Sequence, residues 1–484
     1  MTLLGIIYTL IALCLAAYGL NAVLLAVLYL RHRDNEPTVP PVDRAALPPV
    51  TVQVPMYNER EVVDRIIDAV AALDYPPDRL EIQVLDDSSD DTTRLARERA
   101  QCHRDRGIDI AVLRRPDRQG FKAGALSWGL ARARGEFVAI FDADFHPHPD
   151  FLLETVPHLL NRPSLGLVQV RWSHLNADYS PFTRAQAMAF DGHFVVEQTG
   201  RNRAGLLMNF NGTAGVWRKS CIQESGGWTA ATLSEDLDLS YRAQLAGWQA
   251  LYLPTVDAPA ELPPQLAAFK RQQARWTQGS IQALRKLIGP ILHSDGLSIV
   301  QKAMALLHLS GYVAHTLMIG LLLVTLPLIV CGITPPSVGN IGLVLGLGPP
   351  LVYVISQHRL YQDWGRRLTF LPLLILVGIG MAWNNAMATW RGLTRWGGTF
   401  ARTPKFRVEG SASRWLESDY RLDVDASVIG EVALALYALV SAVVAYQAGA
   451  YGWIPFLMLY AAAFATVAGL ELVQALVVHR PVRV

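Results

Sequence analysis

The sequence predicts an α/β domain with a mostly parallel sheet, inserted between transmembrane helices of an integral membrane protein. Three observations predict it. Long apolar runs lie towards both ends of the 484 residues. The middle, from Val50 to about Pro254, alternates short apolar runs with helical stretches, the pattern of a parallel sheet covered by helices on both faces. Charged residues make up 17% of the chain against 51% hydrophobic, below the roughly 25% charged of a globular protein.

Leu3 to Leu30 is nearly all apolar and is followed by Arg31, His32 and Arg33. A cleaved signal peptide carries its charge before the apolar run. The order here is reversed, so residues 1–33 are expected to be a retained helix whose C-terminal end is cytoplasmic by the positive-inside rule. Residues 34–49 are proline-rich and read as a linker. In the α/β domain, residues 50–260, strands are expected at Val50–Val54, Leu80–Leu85, Ile108–Leu113 and Phe137–Phe141. Helices are expected at Glu61–Leu73, Thr92–Cys102 and Lys122–Ala133. Ligands of such sheets bind beyond the carboxyl ends of the strands.

Residues 261–300 read as amphipathic interfacial helices, and 301–484 as a second membrane region containing a loop at 384–426. The apolar runs there are Ala305–Val330, Ile341–Ile355, Phe370–Trp383, Val428–Tyr446 and Ile454–Val478. Basic residues after the second run (Arg359, Arg366, Arg367) and after the third (Arg391, Arg395, Arg402, Lys405, Arg407) place both loops on the cytoplasmic side, and Arg480 and Arg483 place the C-terminus there too. Phe370–Trp383 is short for a span and is expected to be interfacial or re-entrant. Five spans result.

A net charge of +2, from 43 basic and 41 acidic residues, gives no reason to expect a nucleic-acid partner. Four scattered cysteines with no CxxC give no reason to expect a zinc site or a disulfide framework. The acidic residues are more informative. Asp86-Asp87 and Asp142-Ala-Asp144 each follow a predicted strand. Carboxylates two apart on an extended chain project to one side, where both can approach one hard cation that also holds diphosphate oxygens. One such pair alone is explained as well by a solvated acidic turn. Ser234-Glu-Asp-Leu-Asp238 opens a predicted helix, so its carboxylates suit either a cap or a general base. Gln272-Gln-Ala-Arg275-Trp276 suits either a membrane-interface anchor or a diphosphate and sugar contact.

Together, in this order, these motifs resemble those of the processive family-2 glycosyltransferases, which include cellulose synthases and plant mannan and glucomannan synthases. The resemblance covers about Val50 to Phe406. It implies a GT-A-like nucleotide-sugar-binding domain, with Pro55, Tyr57, Glu59, Asp86, Asp87, Lys122, Asp142, Gln272 and Arg275 on the donor. It implies Phe210, Asn211, Gly212, Thr213 and Trp276 at the acceptor, and Mg²⁺ or Mn²⁺ on Asp142 and Asp144. Asp236 would be the catalytic base, with Glu235 as the second candidate. Phe400-Ala-Arg-Thr403-Pro-Lys405 resembles the gating loop of cellulose synthases, with Arg402 where valine is expected. The implied partners are a UDP- or GDP-linked sugar, UDP-glucose first and GDP-mannose second. The acceptor is a growing β-glycan or, alternatively, a membrane lipid such as diacylglycerol or ceramide. The implied setting is multi-pass in the cell membrane, with the catalytic domain cytoplasmic. Glu471, inside the last apolar run, either takes a partner from a neighbouring helix or lines a polar path for the acceptor.

Overall fold

In the computed structural model, which describes residues 2–333, 346–409 and 415–478, one seven-stranded sheet positions the site. Helix α1 (Leu3–His32) enters first, followed by β1 (Val50–Met56), α2 (Val63–Ala71), β2 (Leu80–Asp86), α3 (Thr92–Arg104), β3 (Ile110–Leu113), α4 (Phe121–Leu130) and β4 (Phe137–Ile140). The alternation read from the sequence is therefore present, with no end moved by more than three residues. Less legible elements come next: α5 (Phe151–Asn161), β5 (Leu165–His174), α6 (Pro181–Asp191), α7 (Thr199–Arg203), β6 (Gly215–Arg218), α8 (Lys219–Glu224), α9 (Glu235–Leu245) and β7 (Gln249–Ala260). A π-helical segment, Gly192–Gln198, joins α6 to α7.

The sheet order is β3-β2-β1-β4-β6-β5-β7. β6 runs antiparallel to both its neighbours, and every other pair is parallel. The order reverses between β1 and β4, so the crevice at their carboxyl ends is where a ligand is expected. Both faces of the sheet are covered. Val50, Val52 and Val54 of β1 pack with Ile66, Ile67 and Val70 of α2 on one side. Val138 and Ile140 of β4 pack with Leu126 of α4 and Trp217 of β6 on the other. Each such fully buried side chain contributes roughly 1.5–3 kcal/mol, which makes the strand ends a rigid platform for the loops attached to them.

Beyond the sheet, the 28-residue α10 (Leu266–His293) leads to α11 (Ile299–Leu309) and α12 (Val313–Val330). Ser298 starts α11 with a capping box to Gln301. The run expected at Ala305–Val330 thus breaks at Ser310–Tyr312 into two helices. Among the described residues, four helices are long and apolar enough to cross a membrane: Leu3–His32, Val313–Val330, Ser427–Gln447 and Tyr451–Leu476. The expected span Ile341–Ile355 lies partly outside the described residues. Its described part belongs to a 13-residue helix, Gly348–Leu360, where Gly348 approaches the α1 backbone and Val352 packs with Val195 and Val196 of the π segment. The pair Trp364–Gly380 and Ala382–Thr394, which contains the expected interfacial or re-entrant segment Phe370–Trp383, is bent by 40° and is a broken span or a re-entrant loop. The loop expected from 384 therefore begins with helix and turns irregular only at Arg395. Arg480 and Arg483 lie outside the described residues.

Candidate active site

Chain segments far apart in sequence meet at the crevice between β1 and β4 and line one cleft that opens to solvent. The β1 end supplies Pro55, Tyr57 and Glu59. Asn58 takes positive φ, donates its N–H to Ser88 Oγ (2.8 Å) and accepts from the Ser89 N–H (2.8 Å), which ties the loops after β1 and β2 together. The Arg118 guanidinium lies 3.2 Å from the Tyr57 ring centroid. Arg115 grips Asp87 through two hydrogen bonds of 2.8 and 2.6 Å.

At the end of β4, the Asp142 N–H donates to Thr213 Oγ1 (2.9 Å). Lys122, from α4, donates to Asp142 Oδ1 (2.6 Å) and to the Gly212 carbonyl (2.9 Å). Asp144 Oδ2 accepts from Lys405 (2.6 Å). Glu235 and Asp236 open α9, where the helix dipole favours negative charge, and Asp236 Oδ1 accepts the Leu237 N–H (2.8 Å). Asp238, on the other face of the same turn, is buried between Arg242 and Lys286 and is structural.

From α10, Gln272, Arg275 and Trp276 close the other wall. Trp276 meets Phe190 edge-on at 5.9 Å, and the Arg275 guanidinium sits 4.3 Å from the Phe400 ring centroid. The loop that carries Phe400, Thr403 and Lys405 therefore lies in the cleft. Arg402, the residue that departs from the gating pattern, donates to Glu59 Oε2 (3.0 Å) and lies 4.1 Å from the Tyr420 ring centroid.

Burial dominates the electrostatics. It pushes Glu59 up to about 8, against the opposing pull of Arg402 and Lys405. Burial also raises both Glu235 and Asp236, with the charge of Asp236 adding to the rise at Glu235 and Lys122 opposing both. Burial alone would lower the ammonium of Lys122, but Asp142 and Glu235 outweigh it and hold Lys122 above its ordinary value. Lys405 is raised in the same way by Asp144 and Glu59.

Seven buried polar atoms of residues lining this cleft lack a hydrogen-bond partner: Arg118 Nε, Asp144 Oδ1, Trp172 Nε1, Glu261 Oε2, Gln272 Oε1, Arg275 Nε and Thr403 Oγ1. Buried polar groups are normally paired, so these are groups a polar ligand would satisfy. Among the described residues, no group of three or more His, Cys, Asp or Glu side chains is arranged to hold a metal unaided. The donors present fit a divalent cation that two carboxylates share with ligand oxygens: Asp144 Oδ1 is free for it, and Asp142 is about a third exposed.

Of the residues expected at the site, Asp86, Phe210 and Thr213 are not on the cleft wall. Asp86 is turned inward to accept from the Ser88 N–H (2.9 Å) and the Thr93 hydroxyl (2.6 Å), which shapes the loop. Phe210 is fully buried against Trp217 and Trp228. Thr213 acts indirectly by fixing Asp142. The remaining expected residues converge on the cleft. Sequence reasoning missed Arg118, Trp172, His174 and Phe190, which also line it. Their signal was weak: Trp172 and His174 alternate at the end of β5, and Phe190 sits just before the π segment.

Gly212 has φ +83°, and a Cβ there would meet Asp236 Oδ2 at 2.8 Å and Lys122 Nζ at 3.4 Å. Gly212→Ala combines a backbone strain of roughly 1 kcal/mol with displacement of the candidate base. Transfer is expected to fall by about 10²-fold, the scale of a 1 Å misplacement, with little change in melting temperature. Steady-state kinetics beside a thermal melt check it.

Residues 48–279 match the family described as glycosyltransferase like family 2. The chain is 45% identical over 273 residues to a probable glucomannan 4-beta-mannosyltransferase 4 of Oryza sativa subsp. japonica, covering 56% of this chain and 50% of that one. It is 38% identical over 364 residues to a probable glucomannan 4-beta-mannosyltransferase 3 of the same plant, covering 73% and 64%. It is 44% identical over 268 residues to glucomannan 4-beta-mannosyltransferase 2 of Arabidopsis thaliana, covering 54% and 49%. The chain thus spans about half to two thirds of the length of these relatives. Among solved structures, the mannosyltransferase PcManGT from Pyrobaculum calidifontis, in complex with GDP-Man and Mn²⁺, superposes with a TM-score of 0.55 over 80% of this chain and 99% of that one. At 22% identity that match shows a shared fold. Sequence match, fold and cleft agree on residues 48–279, which form a domain of the glycosyltransferase family 2 type.

Proposed function

We propose that this chain is an inverting hexosyltransferase that extends a β-linked glycan at the cytoplasmic face of a membrane, with a mannosyl donor, GDP-mannose, as its substrate. The observation that carries the chemistry is the convergence in one cleft of two strand-end carboxylates, a buried carboxylate pair at the start of α9, and Arg275 with Trp276 on α10. Support for mannose over the glucose first expected comes from relatives named as glucomannan 4-beta-mannosyltransferases at 38–45% identity. Their names also support a glycan acceptor over a lipid one.

The donor's base would lie near Tyr57, Asp87 and Arg118, and its diphosphate between the β4 end and Arg275. Mg²⁺ or Mn²⁺ bound by Asp142 and Asp144 would supply Lewis-acid stabilisation of the leaving diphosphate. Arg275 adds a charged hydrogen-bond donor there. Trp276 and Phe190 present aromatic surface to the acceptor sugar. Asp236 takes the proton of the acceptor hydroxyl. That oxygen bonds to the anomeric carbon as the bond from the anomeric carbon to the diphosphate oxygen breaks on the opposite face. An α-linked donor then gives a β-glycoside and a nucleoside diphosphate.

Purified protein incubated with labelled GDP-mannose or UDP-glucose, followed by solvent partition, tests both parts. Label from GDP-mannose in an alcohol-insoluble polymer is the expected result. Label from UDP-glucose alone overturns the donor, and label in the lipid extract overturns the acceptor.

A further inference from the structure

The first turns of α10 carry a group that the transfer chemistry does not use. Lys270 is 2% exposed on an otherwise amphipathic helix. Its ammonium meets two carboxylates from the membrane region: Glu431 of the helix Ser427–Gln447, at 2.5 Å, and Glu471 of the helix Ile454–Val478. Both acids are buried, at 0% and 3% exposure. Ser427 Oγ accepts from the same ammonium (3.1 Å), and the Asp425 N–H donates to Glu471 Oε1 (2.8 Å). Glu471 therefore takes a partner from a neighbouring helix, as in one of its two expected environments, but that partner is a cation, and at 3% exposure the carboxylate does not open onto an acceptor path.

Further bonds converge on the same place. The Leu266 N–H, one of the orphan donors at a helix start, donates to Gln474 Oε1 (2.8 Å). Gln265 exchanges two hydrogen bonds with the backbone of Leu422 (2.6 and 3.0 Å). Asn384 Nδ2 donates to the Lys270 carbonyl (3.1 Å). The start of α10, the chain leaving the gating-like loop and two membrane helices are thus knotted at one point. Gln272, Arg275 and Trp276 lie two, five and six residues beyond Lys270, roughly 3, 8 and 9 Å along the helix axis at 1.5 Å per residue.

We propose that Lys270, Glu431 and Glu471 form a buried ionic junction that positions the Gln272–Trp276 segment in the cleft by fixing α10 to the membrane helices. The proposal rests on the proposed role of that segment in binding the diphosphate and the acceptor. Apolar side chains would hold these helices together at least as well, because the desolvation of buried ions offsets much of their attraction. What an ion pair adds is a fixed rotation and height: α10 cannot slide or turn without separating buried charges. Lys270, Glu431 and Glu471 are positioning residues and touch no substrate.

The test compares the full chain in lipid nanodiscs with two variants. K270M/E431Q/E471Q removes every charge of the junction and leaves none unpaired, and unchanged exchange of the β1 peptides verifies that it folds. K270R keeps the pairing. Two readouts are taken: amide hydrogen exchange of peptides covering residues 266–280, and hexosyl transfer beside acceptor-free donor hydrolysis. The triple variant is expected to exchange at least fivefold faster over 266–280 with β1 peptides unchanged. Its transfer kcat is expected to fall about tenfold while hydrolysis stays within twofold. K270R is expected to match the wild type in both readouts. Wild-type exchange in the triple variant overturns the anchor, and faster exchange with wild-type transfer overturns its positioning role. A wild type that transfers no hexose from any nucleotide sugar overturns the functional proposal and with it the positioning role, and the exchange readout still decides the anchor.

Discussion

Asp236→Asn is expected to lower hexosyl transfer by about 10²–10⁴-fold, the range of a lost general base, with donor binding nearly unchanged. The amide keeps the shape and can still accept the Leu237 N–H that orients Asp236, but it cannot take up a proton. Glu235 shares the turn and lines the same cleft, so Glu235→Gln is the control: it should cost less. The pH profile adds a second check. The base acts only when ionised, and burial raises Asp236 above the ordinary 3.8. Transfer must therefore fall on the acid side at a higher pH than an exposed aspartate would give. That acid limb should be absent from the residual activity of Asp236→Asn. Stopped assays across pH at saturating donor measure it, and transfer by the variant at the wild-type rate would remove Asp236 from the mechanism.

Asp144→Asn has the second large effect. Its Oδ1 is a buried carboxylate oxygen in the cleft without a hydrogen-bond partner, and its Oδ2 accepts from Lys405. The variant keeps an acceptor for Lys405, so the loop contact and the fold should persist. The charge that would hold a divalent cation is lost, and Lewis-acid stabilisation of a leaving group is worth several kcal/mol. At 1.36 kcal/mol per decade, kcat should fall by about 10²–10³-fold, with the metal concentration needed for half-maximal rate rising well above that of the wild type. Titration of Mn²⁺ into chelator-stripped enzyme checks this. An unchanged metal requirement would contradict the placement.

Much of the site was legible because its residues sit just past strand ends. Val50–Val54 and Phe137–Phe141 are short apolar runs, and the residues after them, Tyr57 to Glu59 and Asp142 to Asp144, fall where a parallel sheet presents its loops. Phe210 was misplaced for a related reason. Its motif was read as a unit, yet neighbouring residues point to opposite sides, so Asn211 and Gly212 line the cleft while Phe210 enters the core. Arg402 with Glu59 and Lys270 with Glu471 were illegible as pairs. Their partners lie 343 and 201 residues apart, and no local period links them. The expected run Ile341–Ile355 lies partly outside the described residues, and its described part belongs to the helix Gly348–Leu360, which packs partly on the catalytic domain, a contact between distant segments that no local pattern shows.

The central claim is that one cleft performs an inverting transfer with Asp236 opposite the leaving diphosphate. The most direct measurement is the anomeric configuration of the first product, read by NMR after purified protein is given GDP-α-mannose and a short β-linked acceptor. A new β-linked residue at the non-reducing end, formed in one displacement, is the expected result. An α-linked product would contradict it.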